Sequence, residues 1–274
     1  MSAIERLIIW GAGELGSRVG YLWRQAGGPV IGFTQTNKRH AELRSAGIKP
    51  KLGSPRDLLR PGDGLLFSLP GHASQRQSVQ FLAAISPPAR AVFISSTGFY
   101  GLPAGVVNER TPAGEGNRPA AIEAAEQDFF NWAGDSGVII RLGGLYGPGR
   151  GPFAALARRG TARFGPPNKT LPLIHSDDAA AAIVAAFMHP SPQPVYLAVI
   201  PPCPTRREFY TAACKQLDLS PPAFDELLPY PPVTFDVRLL QRDLLPDPGH
   251  PDWRESLSVL SGQPTINQPG RQGL

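Results

Sequence analysis

The sequence predicts a doubly wound parallel α/β sheet with a smaller C-terminal lobe, and three observations carry that expectation. Short apolar runs alternate with helix-forming stretches over the first 150 positions, separated by turn residues. A glycine-rich turn, Gly11-Ala-Gly13-Glu14-Leu15-Gly16, lies between the first apolar run and the first helical stretch. Later apolar runs end in hydroxyl-rich segments, which would deliver polar groups to one end of a sheet.

Leu7 to Trp10 forms the first strand and Glu14 to about Ala26 the first helix. A turn joining them needs a backbone position that tolerates positive φ, no side chain where a pyrophosphate approaches, and a small residue where helix meets strand. The helix N-terminus then offers unpaired N–H groups and the positive end of its dipole. A dinucleotide is therefore expected, with Gly11, Gly13, Glu14, Leu15 and Gly16 around its pyrophosphate. Pro29 to Thr34 reads as the second strand, followed by the polar turn Gln35 to Arg39 and a helix containing Ala41 to Ala46. No acidic residue stands about 20 residues beyond the glycines to accept hydrogen bonds from an adenosine ribose. Thr34, Gln35, Thr36, Lys38 and Arg39 occupy that region instead, and their hydroxyls and cations suit a 2′-phosphate. NADP(H) is thus favoured over NAD(H).

Residues 51–60 read as a short linker and helix. Gly64 to Ser68 is a buried strand ending in Ser68-Leu69-Pro70-Gly71, and Ser68, Leu69 and Pro70 should border the cofactor, because ligands of open parallel sheets sit off the carboxyl ends of strands. A helix from Ser74 to Ile85 leads to a strand from Ala91 to Ser95, whose last residue is a further expected cofactor contact. Residues 101–119 are loop-like, Pro119 to Trp132 is helical, and Val138 to Leu142 is a strand running into Gly143 to Gly151, with Tyr146 near the nicotinamide. Beyond 150 come a helix at Phe153 to Arg159, a strand at Leu171 to Ile174, an alanine-rich helix at Asp177 to Met188, a strand at Val195 to Val199 and a helix at Arg206 to Leu217. Residues 1–150, completed by 171–199, are expected to hold the dinucleotide, and 151–170 with 200–274 to form the substrate lobe.

Composition narrows the function classes. With 274 residues and 42% hydrophobic content the chain can bury a large core. No apolar run approaches the roughly 20 residues that span a bilayer, and the start lacks a signal-peptide pattern, so a cytoplasmic protein without membrane partners is expected. Cys203 and Cys214 are the only cysteines, without metal-like spacing, which argues against a disulfide framework or a metal site. The net charge of +5 is dominated by arginine, which suits an anionic ligand, while no basic run or aromatic platform argues for nucleic acid.

The ordered motifs resemble the extended short-chain dehydrogenase/reductases, the NAD(P)-dependent epimerase/dehydratase group. They are Gly11 to Gly16, Ser95-Ser-Thr-Gly-Phe-Tyr-Gly101, Ala125-Glu-Gln127, Arg141-Leu-Gly-Gly-Leu-Tyr-Gly-Pro-Gly149, Ile174-His-Ser-Asp-Asp178 and the late Pro251 to Leu257. The resemblance implies a Rossmann-type fold, hydride transfer to and from a nicotinamide, a polar, nucleotide-sugar-like substrate, and a homodimer through helices near 119–135 and 152–159. It places the substrate-holding hydroxyl of the family on Ser96, the candidate catalytic residue. The family's Tyr-x-x-x-Lys acid/base pair is absent: its positions carry Arg118 and Ile122. The chain in this respect resembles the atypical branch, which keeps the cofactor site and often lacks the pair.

Other groups stand near the vacated positions. Glu123, Tyr100, Tyr146 and His175 are substitutes for the acid/base, and Tyr100, Arg150, His175 and Arg206 are candidate substrate contacts. Each also has a structural reading, such as His175 capping a helix together with Asp177 and Asp178. Two functions stay open: an NADP-linked oxidoreductase or epimerase-like isomerase, and a non-catalytic dinucleotide-binding redox sensor.

Overall fold

The computed structural model describes residues 4–148, 150–152, 156, 164–226 and 230–261. Its strands are β1 (Arg6–Trp10), β2 (Val30–Thr34), β3 (Lys49–Leu52), β4 (Asp63–Phe67), β5 (Arg90–Ser96), β6 (Gly105–Val107), β7 (Gly137–Leu142), β8 (Gly144–Tyr146), β9 (Leu173–His175), β10 (Val195–Ala198) and β11 (Val233–Phe235). Seven of them form one parallel sheet in the order β10-β7-β5-β4-β1-β2-β3. The expected doubly wound class is thereby observed.

The order reverses beside β1, which has β2 on one side and β4 on the other. This is the switch point at which an open parallel sheet leaves a crevice. Alternation along β1 supplies both faces of the core, since successive side chains point to opposite sides. Leu7 and Ile9 join one cluster with Val19 and Trp23 of α1 (Glu14–Gln25) and Ala179 and Ile183 of the alanine-rich helix. Ile8 and Trp10 join the other with Phe67, Phe93 and Phe129. Burial of each such side chain contributes roughly 2 kcal/mol. The β1–β4 register is pinned at its start by Arg6, whose Nε donates to the fully buried Asp63 carboxylate at 2.6 Å.

The remaining helices are α2 (His40–Ser45), α3 (His72–Phe81), α4 (Asn117–Ala133), α5 (Ser176–Met188), α6 (Arg206–Gln216), α7 (Arg238–Asp243) and α8 (Trp253–Ser261). α1 packs with α5 on one face of the sheet and α3 with α4 on the other. Two local expectations differ from what is found. The 51–60 segment holds turns rather than a helix, and Lys49–Leu52 before it is the edge strand β3, where Pro50 is tolerated because one side of an edge strand needs no ladder hydrogen bond. The 101–119 loop contains β6, which pairs in parallel with β11 from the proline-rich tail. Both strands are three residues long, and their paired residues lie 128 positions apart, so no local pattern announces the pairing. The helix expected at 153–159 lies outside the described residues, apart from Leu156. Among the described residues no helix is long and apolar enough to cross a membrane.

Candidate functional site

The glycine turn is built by backbone contact. Gly11 has φ +97°, and a Cβ there would lie 2.4 Å from the Ser68 carbonyl oxygen, so β1 and β4 can converge only over a bare Cα. Gly16 meets the Gly11 carbonyl in the same way, at 2.5 Å. Gly13 differs: it is the N-cap of α1, with φ −75°, and a Cβ there would meet nothing nearer than the Gly11 oxygen at 4.0 Å. No side chain caps α1. Uncapped N–H groups facing open space beside Gly13 fit a pyrophosphate, which supplies the acceptors the helix start lacks.

The surrounding polar groups are already organised. At the end of β2, the Thr34 hydroxyl donates to the Thr36 carbonyl at 2.9 Å and lies 2.8 Å from His40 Nε2. Arg39 is held by Glu42 through Nε (2.9 Å) and Nη2 (2.5 Å), and its Nη2 also reaches Ser17 Oγ on α1 at 3.3 Å. Gln35, Thr36 and Lys38 are exposed around it. Ser68 and Leu69 are half-buried at the end of β4, and Pro70 is exposed.

A cleft of about 580 Å³ opens at the end of β5. Ser96 lines it, and its Oγ accepts from the Gly98 N–H at 3.0 Å, capping the short turn Thr97–Tyr100 and leaving the hydroxyl proton for a ligand. Arg118, Lys169 and Arg206 line the same cleft from α4, the loop before β9 and α6, with Glu115 as its carboxylate. Arg206 Nη1 donates to the Pro166 carbonyl at 2.9 Å, and burial pushes its guanidinium below the usual arginine range. Arg118 has no hydrogen-bonding or ionic partner among the described residues, and a Cβ at Gly98 would lie 3.1 Å from its Nε. Tyr230 also faces the cleft, with the Lys169 ammonium 4.9 Å from its ring centre. Sequence reasoning found Ser96 and Arg206 but missed Lys169 and Tyr230, which come from loops with no motif of their own. Arg118 carried a signal, since the resemblance implies one of the family's acid/base positions there.

Other expected residues are placed elsewhere. Ser95 Oγ donates to Glu126 Oε1 at 2.5 Å, so its side chain points into the core rather than toward a cofactor. Glu126 also accepts from Arg141, whose Nη2 lies 2.7 Å from Oε2 and whose guanidinium sits 3.4 Å over the Phe99 ring. Arg141 Nη1 donates to the Tyr100 hydroxyl at 3.2 Å. Tyr100 is thus buried under the cleft, and burial pushes its phenol up, against the pull of Arg141. Tyr146 is buried as well, edge-on to His175 and Phe209, and its phenol is likewise raised by burial. Neither residue lines the Ser96 cleft.

His175 takes its structural reading. Its Nδ1 accepts from the Asp177 N–H at 3.2 Å, capping α5, and its ring stacks on His250 with centres 3.5 Å apart. Burial and the neighbouring His250 push its pKa down to about 4, so the ring is neutral near pH 7. Asp178 accepts from the Gly249 and His250 N–H groups at 2.7 and 3.0 Å, tying the C-terminal segment to α5. His175, Asp177 and His250 bring ligand-type atoms within 4.8 Å of one another. Stacked imidazoles cannot both hold one ion in their ring planes, however, and Arg18 already neutralises Asp177. Arg150 is not in the Ser96 cleft: it pairs with Glu14 at the first residue of α1. A separate cavity of about 640 Å³ between α1 and α5 has mainly apolar walls, and neither Gly13 nor Ser96 lines it.

The comparisons with known proteins agree with this architecture. No protein-family profile matches the chain. The protein YeeZ of Escherichia coli K12 is 30% identical over 241 residues, covering 81% of this chain and 87% of its own length. A conserved protein of unknown function from Silicibacter pomeroyi superposes with a TM-score of 0.76 at 23% identity, over 93% of this chain and 98% of its own. UDP-glucuronic acid 4-epimerase from Bacillus cereus, solved with NAD, superposes with a TM-score of 0.75 at 16% identity, over 93% and 97% of the two chains. With the motifs in order on this fold and a relative matched along most of its length, the chain belongs to the extended short-chain dehydrogenase/reductase family, the NAD(P)-dependent epimerase/dehydratase group.

Proposed function

We propose that the chain binds a nicotinamide dinucleotide at the glycine turn, NADP(H) in preference to NAD(H), and acts as an oxidoreductase or epimerase-like isomerase on an anionic, nucleotide-sugar-like substrate. The observation that carries this reading is the convergence of Arg118, Lys169 and Arg206 on the cleft that Ser96 lines, next to the glycine turn. β1, β4 and β5 are consecutive in the sheet, so Gly11, Ser68 and Ser96 lie along one edge of it. Three guanidinium or ammonium groups against one carboxylate suit a diphosphate. That the B. cereus epimerase was solved with NAD supports the cofactor, and its nucleotide-sugar name supports the substrate class.

In this reading residues 1–150 with 171–199 hold the dinucleotide, and 151–170 with 200–274 close over the substrate. Gly13 leaves room for the pyrophosphate, and Arg39 and Lys38 take the 2′-phosphate. Ser96 donates its free proton to the substrate oxygen. The nicotinamide, when bound, supplies the hydride donor or acceptor. A homodimer through α4 belongs to the same proposal, and sedimentation analysis tests it.

The alternative, a non-catalytic redox sensor, draws support from Arg118 and Ile122 on α4 in place of the family pair. Tyr230 beside Lys169 favours the enzyme, because it puts a phenol and an ammonium in the cleft itself. Calorimetric titration with NADPH, NADP, NADH and NAD, followed by 340 nm absorbance of bound NADPH against UDP-sugars and carbonyl compounds, tests both. NADPH binding and oxidation lost in Ser96→Ala would support the enzyme. Binding of no dinucleotide would overturn the reading.

A further inference from the structure

Arg150 and Glu14 form a contact that neither the fold nor the Ser96 cleft requires. Glu14 opens α1, one residue beyond the open Gly13 position, at the helix start that the proposed pyrophosphate would approach. Arg150 Nε donates to Glu14 Oε2 at 2.5 Å across 136 residues of chain. The other carboxylate oxygen, Oε1, is buried and has no hydrogen-bond partner. The backbone presenting Arg150 is tied to the end of β8: its N–H donates to the Gly147 carbonyl at 3.0 Å. The Arg150 side chain remains 44% accessible, which leaves its guanidinium room to turn.

We infer that Arg150 is a dinucleotide-binding residue held in reserve by Glu14. In the free protein the guanidinium neutralises an anion at a helix start. When a dinucleotide binds, its pyrophosphate carries more charge than the carboxylate and presents several acceptors, so Arg150 passes from Glu14 to the phosphates. Glu14 then competes twice, as a rival for the guanidinium and as a like charge beside the phosphates. Arg150 thus works at the cofactor site, not at the substrate phosphate. The inference rests on the dinucleotide reading above.

The test is titration of the parent protein, Arg150→Ala, Glu14→Gln and the double variant with NADPH, at two salt concentrations. Arg150→Ala should weaken NADPH about tenfold or more, the worth of a charge-assisted contact, and should flatten the salt dependence. Glu14→Gln should tighten it by about threefold to tenfold, and should restore part of the loss when combined with Arg150→Ala. The pair is partly exposed, so thermal unfolding of both variants should match the parent. Parent binding that Arg150→Ala reproduces, or Glu14→Gln binding more weakly than parent, would overturn the inference and leave the dinucleotide reading standing. Failure of the parent to bind NADPH, NADP, NADH or NAD would overturn both.

Discussion

The glycine turn and the Ser96 cleft occupy neighbouring strand ends but are made of different material. The turn is backbone against backbone: Gly11 on the Ser68 carbonyl, Gly16 on the Gly11 carbonyl, and bare N–H groups at the start of α1. The cleft is side chains brought from positions 96, 118, 169, 206 and 230, over a buried platform in which Glu126 ties Ser95 to Arg141 and Arg141 holds Tyr100. A backbone site tolerates few residue types, so it constrains sequence locally. A side-chain site can be assembled from any segments the fold brings together. This is how the cleft can carry cations and a phenol although α4 lacks the family pair.

The largest effect should come from the platform. Glu126→Ala leaves the Arg141 guanidinium buried without its carboxylate and should cost about 3–5 kcal/mol in urea unfolding. A cost below about 1 kcal/mol would mean the cleft does not depend on this pair. At the turn, Gly11→Ala and Gly13→Asp should separate fold from ligand. The first meets the Ser68 carbonyl at positive φ and should destabilise by about 3 kcal/mol. The second enters open space with an ordinary φ, so stability should stay within about 1 kcal/mol of the parent while NADPH affinity falls at least about 100-fold by charge repulsion. Equal destabilisation by both would erase the distinction between a position shaped by the chain and one shaped by a ligand.

The start of α5 should respond to pH. His175 is buried between Tyr146 and His250, with Asp177 and Arg18 as its charged neighbours, and its pKa lies at about 4 against 6.5 for a free histidine. The unfolded chain therefore takes up a proton that the folded chain refuses. Stability should fall as pH drops from about 6.5 to about 4, by about 3 kcal/mol, and this contribution should level off below that window. His175→Asn should flatten that stretch of the stability profile, read by urea unfolding at a series of pH values. An unchanged slope would place the titrating group elsewhere. The smallest effect belongs to the cleft cations: Lys169→Ala or Arg206→Ala should weaken UDP about tenfold and leave NADPH unchanged. A parallel loss of NADPH would merge the two sites into one.

What the sequence by itself determined was the periodic and the backbone-dictated part of this protein. Alternating apolar runs specified the strands, helix-length stretches specified the layers between them, and Gly11 and Gly16 marked a turn that few other residues could build. The missing Tyr-x-x-x-Lys pair was equally legible, because it is a local spacing on one helix. Only the tertiary structure decided which hydroxyls, rings and cations face the open end. Ser95 and Ser96 are adjacent, yet a strand turns successive side chains to opposite faces, sending one to Glu126 and the other to the cleft. Tyr100 and Tyr146 end in the core, and Arg150 ends on Glu14 rather than beside Arg206. The β6–β11 ribbon and the placement of Lys169 and Tyr230 depend on contacts far apart in the chain. Such contacts leave no periodic trace, because only the closure of the whole fold brings their partners together.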